Sequence, residues 1–162
     1  MSKLINILIH ILKILNPKKA TIDYITQIIY MTDWVMALNK DTLISDLHWE
    51  LGENGPQVEE LDIIIGHRPD IFKVTPVIDG GTKSIFLSLI NTNISYSLDS
   101  TEAAYLDKVI MLFDPLFKDD FVDIVFHTYP ILSTNKKEPI DILRLAREYN
   151  RKREIFENAK NK

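Results

Sequence analysis

The stretch MSKLINILIHILKIL, residues 1–15, restricts the fold more than any other part of the chain. Its polar side chains Lys3, Asn6, His10 and Lys13 recur every three or four positions. On a helix they form one narrow stripe, and the rest of the circumference is apolar. The apolar run is broken by His10 and Lys13, is too short to span a bilayer, and lacks the small-residue cleavage site of a signal peptide. The stripe is also too thin for a helix that lies on a membrane surface. The expectation is a buried core helix that other elements must cover.

The chain has the means to cover it. At 162 residues, 46% hydrophobic and 26% charged, it suits one globular domain over 1–162 that buries roughly 70% of its unfolded surface. No internal repeat or low-complexity segment divides it. There is no cysteine, which excludes disulfides and thiolate metal sites and suits a reducing, cytoplasmic setting.

Pro17 pushes Asn16 away from helical geometry, so the first helix should end by Leu15. Residues 21–38, TIDYITQIIYMTDWVMAL, carry Ile22, Ile25, Ile28, Ile29, Val35, Met36 and Leu38 at helical spacing and predict a largely buried helix with Gln27 and Asp33 as its notable polar members. Residues 43–51 alternate loosely and read as a short strand. Gly55-Pro56 then reads as a joint, with Pro56 at the first position of a helix that presents Val58, Leu61, Ile64 and Ile65 and stops near Gly66. Residues 71–77 and 83–90 flank Asp79-Gly80-Gly81, a hairpin signal.

Ser97, Asp99 or Ser100 can cap a helix running to about Phe113, with Glu102 available for a capping box. Asp114-Pro115 breaks it, and a short helix follows from about Lys118 to Thr128, ending at Tyr129-Pro130. A basic last helix, 139–160, should start near Pro139 and pack Ile142, Leu145, Ala146, Tyr149 and Phe156. The sum is a mainly α (α+β) domain with a small antiparallel sheet. Its expected core includes Ile28, Ile29, Trp34, Leu61, Leu106, Ile110, Phe121, Ile124, Val125 and Leu145.

The net charge of −4 is unevenly spread. Residues 144–162 hold seven cations against Glu148, Glu154 and Glu157, a net of +4, so the remainder carries −8. An acidic body disfavours nonspecific nucleic-acid binding and favours a basic protein partner. In the tail, Arg144–Glu148, Glu148–Lys152 and Arg153–Glu157 are spaced i,i+4, as in a solvated helix laced by ion pairs. The helix after Asp114-Pro115 holds Asp119, Asp120 and Asp123 against Lys118 alone, which would repel phosphates and rules it out as a DNA-recognition helix.

For metal or acid–base chemistry the candidates are His48, Glu50 and Glu53 with His127. His48 and Glu50 would share one face of a strand, as metal ligands can. No HExxH or comparable spacing supports them, and His127, in VFHTYP, suits a helix C-terminal cap or a core hydrogen-bonding group better. A phosphate-binding loop, a G-x-S-x-G elbow and a thiol nucleophile are all absent from the sequence.

Five stretches in order, IIYMTDW (28–34), ENGPQVEEL (53–61), LDSTEAAYLDKVI (98–110), FVDIVFHTYP (121–130) and PIDILRLAREY (139–149), resemble the Panacea domain, the family of SocA-like antitoxins of bacterial toxin–antitoxin systems and their phage relatives. Together they span nearly the whole chain. The resemblance implies a helix-rich domain that neutralises a toxin, encoded nearby, by direct contact. It brings no catalytic residues, cofactor or metal with it, and a SocA-like member acts as a protease adaptor. Many members carry an extra N-terminal DNA-binding module, whereas this chain begins almost directly with the domain, which puts regulation of its own operon in doubt. From the acidic body and the character of the first helix, no specific nucleic acid and no membrane is expected as a partner. Independently of the resemblance, the expected toxin-interface anchors are Trp49, Phe72 and Phe86, because strands exposed on a small sheet offer apolar side chains; the alternative is that all three belong to the core. The alternatives are a protease adaptor or interaction module of a phage or mobile element, and, from a different class, a metal-dependent hydrolase using His48, Glu50 or His127.

Overall fold

In the computed structural model, which describes residues 1–162, the apolar N-terminal stretch forms helix α1 (Lys3–Ile14). Ser2 caps it by accepting from the Ile5 N–H. Ile5, Ile7, Leu8, Ile9, His10 and Ile11 are buried, as the near-continuous apolar surface requires. Although Lys3 and Lys13 are exposed, every member of the polar stripe has a partner in the protein. Lys3 pairs with Glu102 at 2.7 Å, Asn6 accepts from the Ser97 N–H at 3.4 Å, and Lys13 donates to the Ile94 carbonyl at 2.8 Å. His10 is held between the Tyr96 hydroxyl at 2.9 Å and an Asp107 oxygen at 2.7 Å. All these partners lie in residues 94–107, so the stripe is the seam that docks α1 against α4 (Ser100–Phe113) and the segment before it.

Helix α2 (Ile22–Lys40) is capped by Thr21, whose hydroxyl accepts from the Tyr24 N–H at 3.2 Å. It ends at Asp41, in the left-handed region at φ +54°. Twelve of its residues are buried, because it packs against α4, two other helices and strands of both sheets. No helix in the molecule is long and apolar enough to cross a membrane.

The strands β3 (Phe72–Asp79) and β4 (Thr82–Leu89) form the antiparallel hairpin expected there, closed at Gly80 and Gly81. Their φ values of +55° and +84° are the pair of positive angles that a tight two-residue turn demands. The register places Phe72, Val74, Pro76 and Ile78 on one face with Leu89, Leu87, Ile85 and Lys83. At its base Phe72 and Leu87 are buried; towards its tip Ile78 is 75% exposed. The hairpin therefore carries an apolar face out of the body.

The Gly55-Pro56 joint differs from expectation. No ladder pairs residues 43–49, so the strand begins only at Glu50, although Ser45, Leu47 and Trp49 alternate inward as their spacing suggests. Strand β1 (Glu50–Gly52) turns through Glu53-Asn54 into β2 (Gly55–Gln57), so Pro56 lies in a strand rather than starting a helix. The reason is local. Leu51, paired with Pro56, turns its own backbone away, donating to the Glu138 carbonyl at 3.0 Å and accepting from the Lys137 N–H at 2.7 Å. A residue without an N–H loses nothing opposite it. Gly55 has φ +111°, and a Cβ there would press on the Phe126 ring at 3.4 Å. Helix α3 (Glu60–Gly66) starts after the strand ends.

Asp99 is the cap of α4, accepting from the N–H groups of Thr101 and Glu102. At its other end the Lys19 ammonium donates to the carbonyls of Asp114 and Leu116, and the Tyr24 hydroxyl donates to that of Phe113. Helix α5 (Lys118–Phe126) follows, and then a helical turn absent from the sequence reading, α6 (Tyr129–Leu132), with Pro130 in its first turn. Helix α7 (Ile142–Lys160) begins later than Pro139, where Asp141 caps it through the Arg144 N–H at 3.0 Å. Thirty-five buried hydrophobic residues form one core. Of the expected core residues, Ile124 is an exception at 40% exposed, and Phe156 of the expected packing face is 61% exposed. Ile124 faces outward on α5, and α7 has outrun the body by Phe156.

Phe121 is fully buried and sits against Tyr24 and Phe113, with ring centroids at 5.1 and 4.5 Å. Phe121→Ala should cost about 3–5 kcal/mol in urea unfolding, and Ile124→Ala, three positions along the same helix, about 0.5 kcal/mol. Similar losses for both would place α5 in another register.

Candidate functional site

Asp33 is a carboxylate wholly enclosed at 0% exposure in the middle of α2. A buried carboxylate must be hydrogen-bonded. One of its oxygens accepts from the Ser45 N–H at 2.9 Å; the other accepts from the Ser45 hydroxyl and from the Trp49 indole N–H at 2.8 Å. Burial pushes its pKa up to about 6, while the hydrogen bonds from Ser45 and Trp49 pull the other way. A raised carboxylate marks a reactive site when it opens on a cleft. Asp33 opens on nothing and acts on architecture. The Trp49 ring meets Tyr30 edge to face at 5.5 Å, and the Tyr30 hydroxyl shares a hydrogen bond of 2.7 Å with Thr128. The IIYMTDW stretch thus supplies a buried polar centre rather than a site.

The expected acid–base group does not assemble. His48 precedes the strand, is exposed, and bonds through Nδ1 to Glu60 at 2.7 Å. Glu50 accepts from Gln57 at 3.1 Å, and Glu53 pairs with Lys136 at 2.8 Å. His127 ends α5 as the sequence suggested, its Nδ1 donating to the Asp123 carbonyl at 2.6 Å. Each side chain is engaged in a separate local contact, and no three His, Asp or Glu residues are grouped as a metal would need.

The expected anchors also need correction. Trp49 and Phe72 are 3% exposed and belong to the core, Trp49 because Asp33 and Tyr30 hold it, Phe72 because it lies at the hairpin base. Phe86 is half-buried on the other face of the hairpin, beside Thr21. The exposed apolar side chains of this hairpin are Val74, Ile78 and Ile85, on the face shared with the buried Leu87, and Val77 on the other face.

One concave surface has no counterpart in the sequence reading. A groove of about 630 Å³ lies between the first turns of α2, the β1–β2 turn, α3 and α5. Its floor is apolar, with Val58, Leu61, Val122 and Phe126. Four carboxylates line it, Asp23, Glu53, Glu59 and Asp62, against Lys118 alone. Gln27, also in its wall, is 8% exposed, and its carboxamide oxygen has no hydrogen-bond partner. The glutamates and Asp62 stand close together in the sequence; Asp23 and Gln27 join them only through packing. Such a surface suits a cationic segment with apolar side chains. Protein-family models, characterised proteins and solved structures were all compared with the chain, and none matches.

Asp33 carries a pH signature. Its folded pKa of about 6 lies above the ordinary carboxylate value, so between about pH 4 and 6 the folded state holds a proton that the unfolded state has lost. Its contribution is fully present below about pH 4 and is lost as pH rises through 6. Asp33→Ala strands three donors and should cost about 3 kcal/mol at pH 7. The stability gap between wild type and variant should widen as pH falls from 6 to 4, by about 2–3 kcal/mol. A gap independent of pH in denaturant titrations would contradict the raised pKa of the Asp33 carboxyl.

Proposed function

We propose that this protein is a cytoplasmic antitoxin that neutralises a toxic partner by binding it. The observation that carries the reading is the β3–β4 hairpin, which projects an uncovered apolar face formed by Val74, Ile78 and Ile85. Exposed apolar patches on an ordered element mark protein interfaces more often than they occur by chance. The edge of the hairpin does not invite indiscriminate strand pairing, because Pro76 removes a donor from β3 and Lys73 adds a charge. A side-chain-mediated contact on the apolar face is the use that remains.

Two further features support the reading. The acidic body, −8 outside residues 144–162, steers a basic partner and speeds its association. The stretches that resemble the Panacea domain fall on α2, β2–α3, α4, α5–α6 and α7, that is, on the body that presents the hairpin.

The test is co-expression of the gene adjacent to this one, with and without the protein. Rescue of growth together with a stable co-purified complex is the expected result. Ile78→Asp and Ile85→Asp should each weaken the complex about tenfold or more, as loss of an interface anchor does, and leave the thermal unfolding curve in place. Ser88→Asp, on the polar face of the same hairpin, should leave rescue intact. Rescue without a complex, a covalently altered partner, or indifference to both apolar-face variants would overturn the reading.

A further inference from the structure

Beyond its contact with the body, α7 is a helix without a cover. Tyr149 and Asn150 are the last residues that reach the core, Asn150 by donating to the Leu38 carbonyl at 3.0 Å. Residues 151–162 are all exposed. At 1.5 Å per residue the helical part of this overhang is about 15 Å long. It is not uniformly polar: Ile155 and Phe156 are 63% and 61% exposed, and Ala159 continues their face one turn on. Around that apolar stripe stand Arg151, Lys152, Arg153, Lys160 and Lys162 against Glu154 and Glu157. Lys160 lies over the Phe156 ring at 4.7 Å.

The groove between α2, the β1–β2 turn, α3 and α5 has the opposite character. Its floor is apolar where the overhang has its stripe, and its rim is acidic where the overhang is basic. Of the carboxylates on the rim, Glu53 is already paired with Lys136, whereas Asp23, Glu59 and Asp62 face the groove with no cation of their own chain in an ion pair. Lys152 reaches back to the body, donating to the Tyr129 hydroxyl at 2.8 Å; no other side chain of the overhang forms a hydrogen bond or ion pair with an element other than α7.

We propose that the overhanging end of α7, residues 151–160, docks into the acidic groove of a second copy of this chain, giving a reciprocal two-fold dimer. Each copy lends a helix and receives one, so the contact is made twice and closes on itself. Phe156 and Ile155 enter against Val58, Val122 and Phe126; Arg151 and Arg153 meet Glu59 and Asp62 on the rim. The proposal stands apart from the antitoxin reading, since it uses neither the hairpin nor a toxin.

Sedimentation equilibrium of the full chain tests it directly. The expected result is a monomer–dimer equilibrium whose dissociation constant rises about tenfold or more from low to high salt, as an interface set by exposed charges should. The pair Glu59→Lys with Asp62→Lys should weaken the dimer about tenfold or more, and so should the pair Arg151→Glu with Arg153→Glu. The chain carrying all four changes should recover the dimer, because the charges are exchanged rather than lost. Phe156→Ser should weaken it without changing any charge. All these positions are exposed, so circular dichroism melts should stay within a few degrees of wild type. A monomer at every concentration and salt, a dimer indifferent to both reversals, or failure of the four-change chain to recover would overturn the proposal.

Discussion

The carboxylate of Asp33 fastens a segment that has no regular structure of its own to the helix that organises the molecule. Residues 42–49 make neither helix nor ladder, yet Ile44, Ser45, Leu47 and Trp49 are buried. Their position depends on three hydrogen bonds to one side chain. From Trp49 the constraint spreads in two directions. Its ring fixes Tyr30, whose hydroxyl ties α2 to Thr128 between α5 and α6, and its carbonyl accepts from the Ile140 N–H at 2.8 Å, placing the approach to α7. Without this side chain the Ser45 N–H, the Ser45 hydroxyl and the Trp49 indole N–H would be buried with no acceptor, which is why the knot depends on it. The fold accepts the desolvation of one carboxylate in return for fixing a long connection.

Much of the architecture was legible in the chain because its signals are local. The 3.6-residue pattern marks α1, α2 and α4, the Gly80-Gly81 pair has no other common use between two β-rich runs, and Asp99 is a cap by chemistry. What escaped the sequence depended on a third party. Pro56 reads as a helix start until Leu51 is seen to bond with residues 137 and 138, after which a strand position without a donor becomes harmless. Ile124 and Phe156 fit the apolar spacing of their helices, but periodicity cannot say where a neighbouring element ends.

The candidate sites were less legible still. Asp33 could be noted as an acid on an apolar helix; that Ser45 and Trp49 would converge on it could not, since nothing in the spacing encodes the route of residues 42–49. Trp49, Phe72 and Phe86 stand out as aromatic residues on or beside a small sheet, but large aromatic side chains are also the ones a core draws in. The outward positions of the same hairpin belong to smaller aliphatic residues. The groove combines Asp23 and Gln27 from one end of α2 with Glu59 and Asp62 from α3 and Phe126 from α5, a set with no linear signature.

The seam between α1 and residues 94–107 has a consequence for how the protein comes to be made. His10 finds Asp107 across 97 positions of chain, and Lys13 finds Ile94 across 81. During synthesis, which proceeds at roughly 5–20 residues per second, α1 therefore spends several seconds outside the ribosome with its apolar surface bare and its seam unpaired. Loop closure over such a span must precede any reward from the contact, which makes this a late step for an otherwise local, helix-rich chain. The nascent chain in that interval is a natural client for chaperones that recognise short apolar segments flanked by cations.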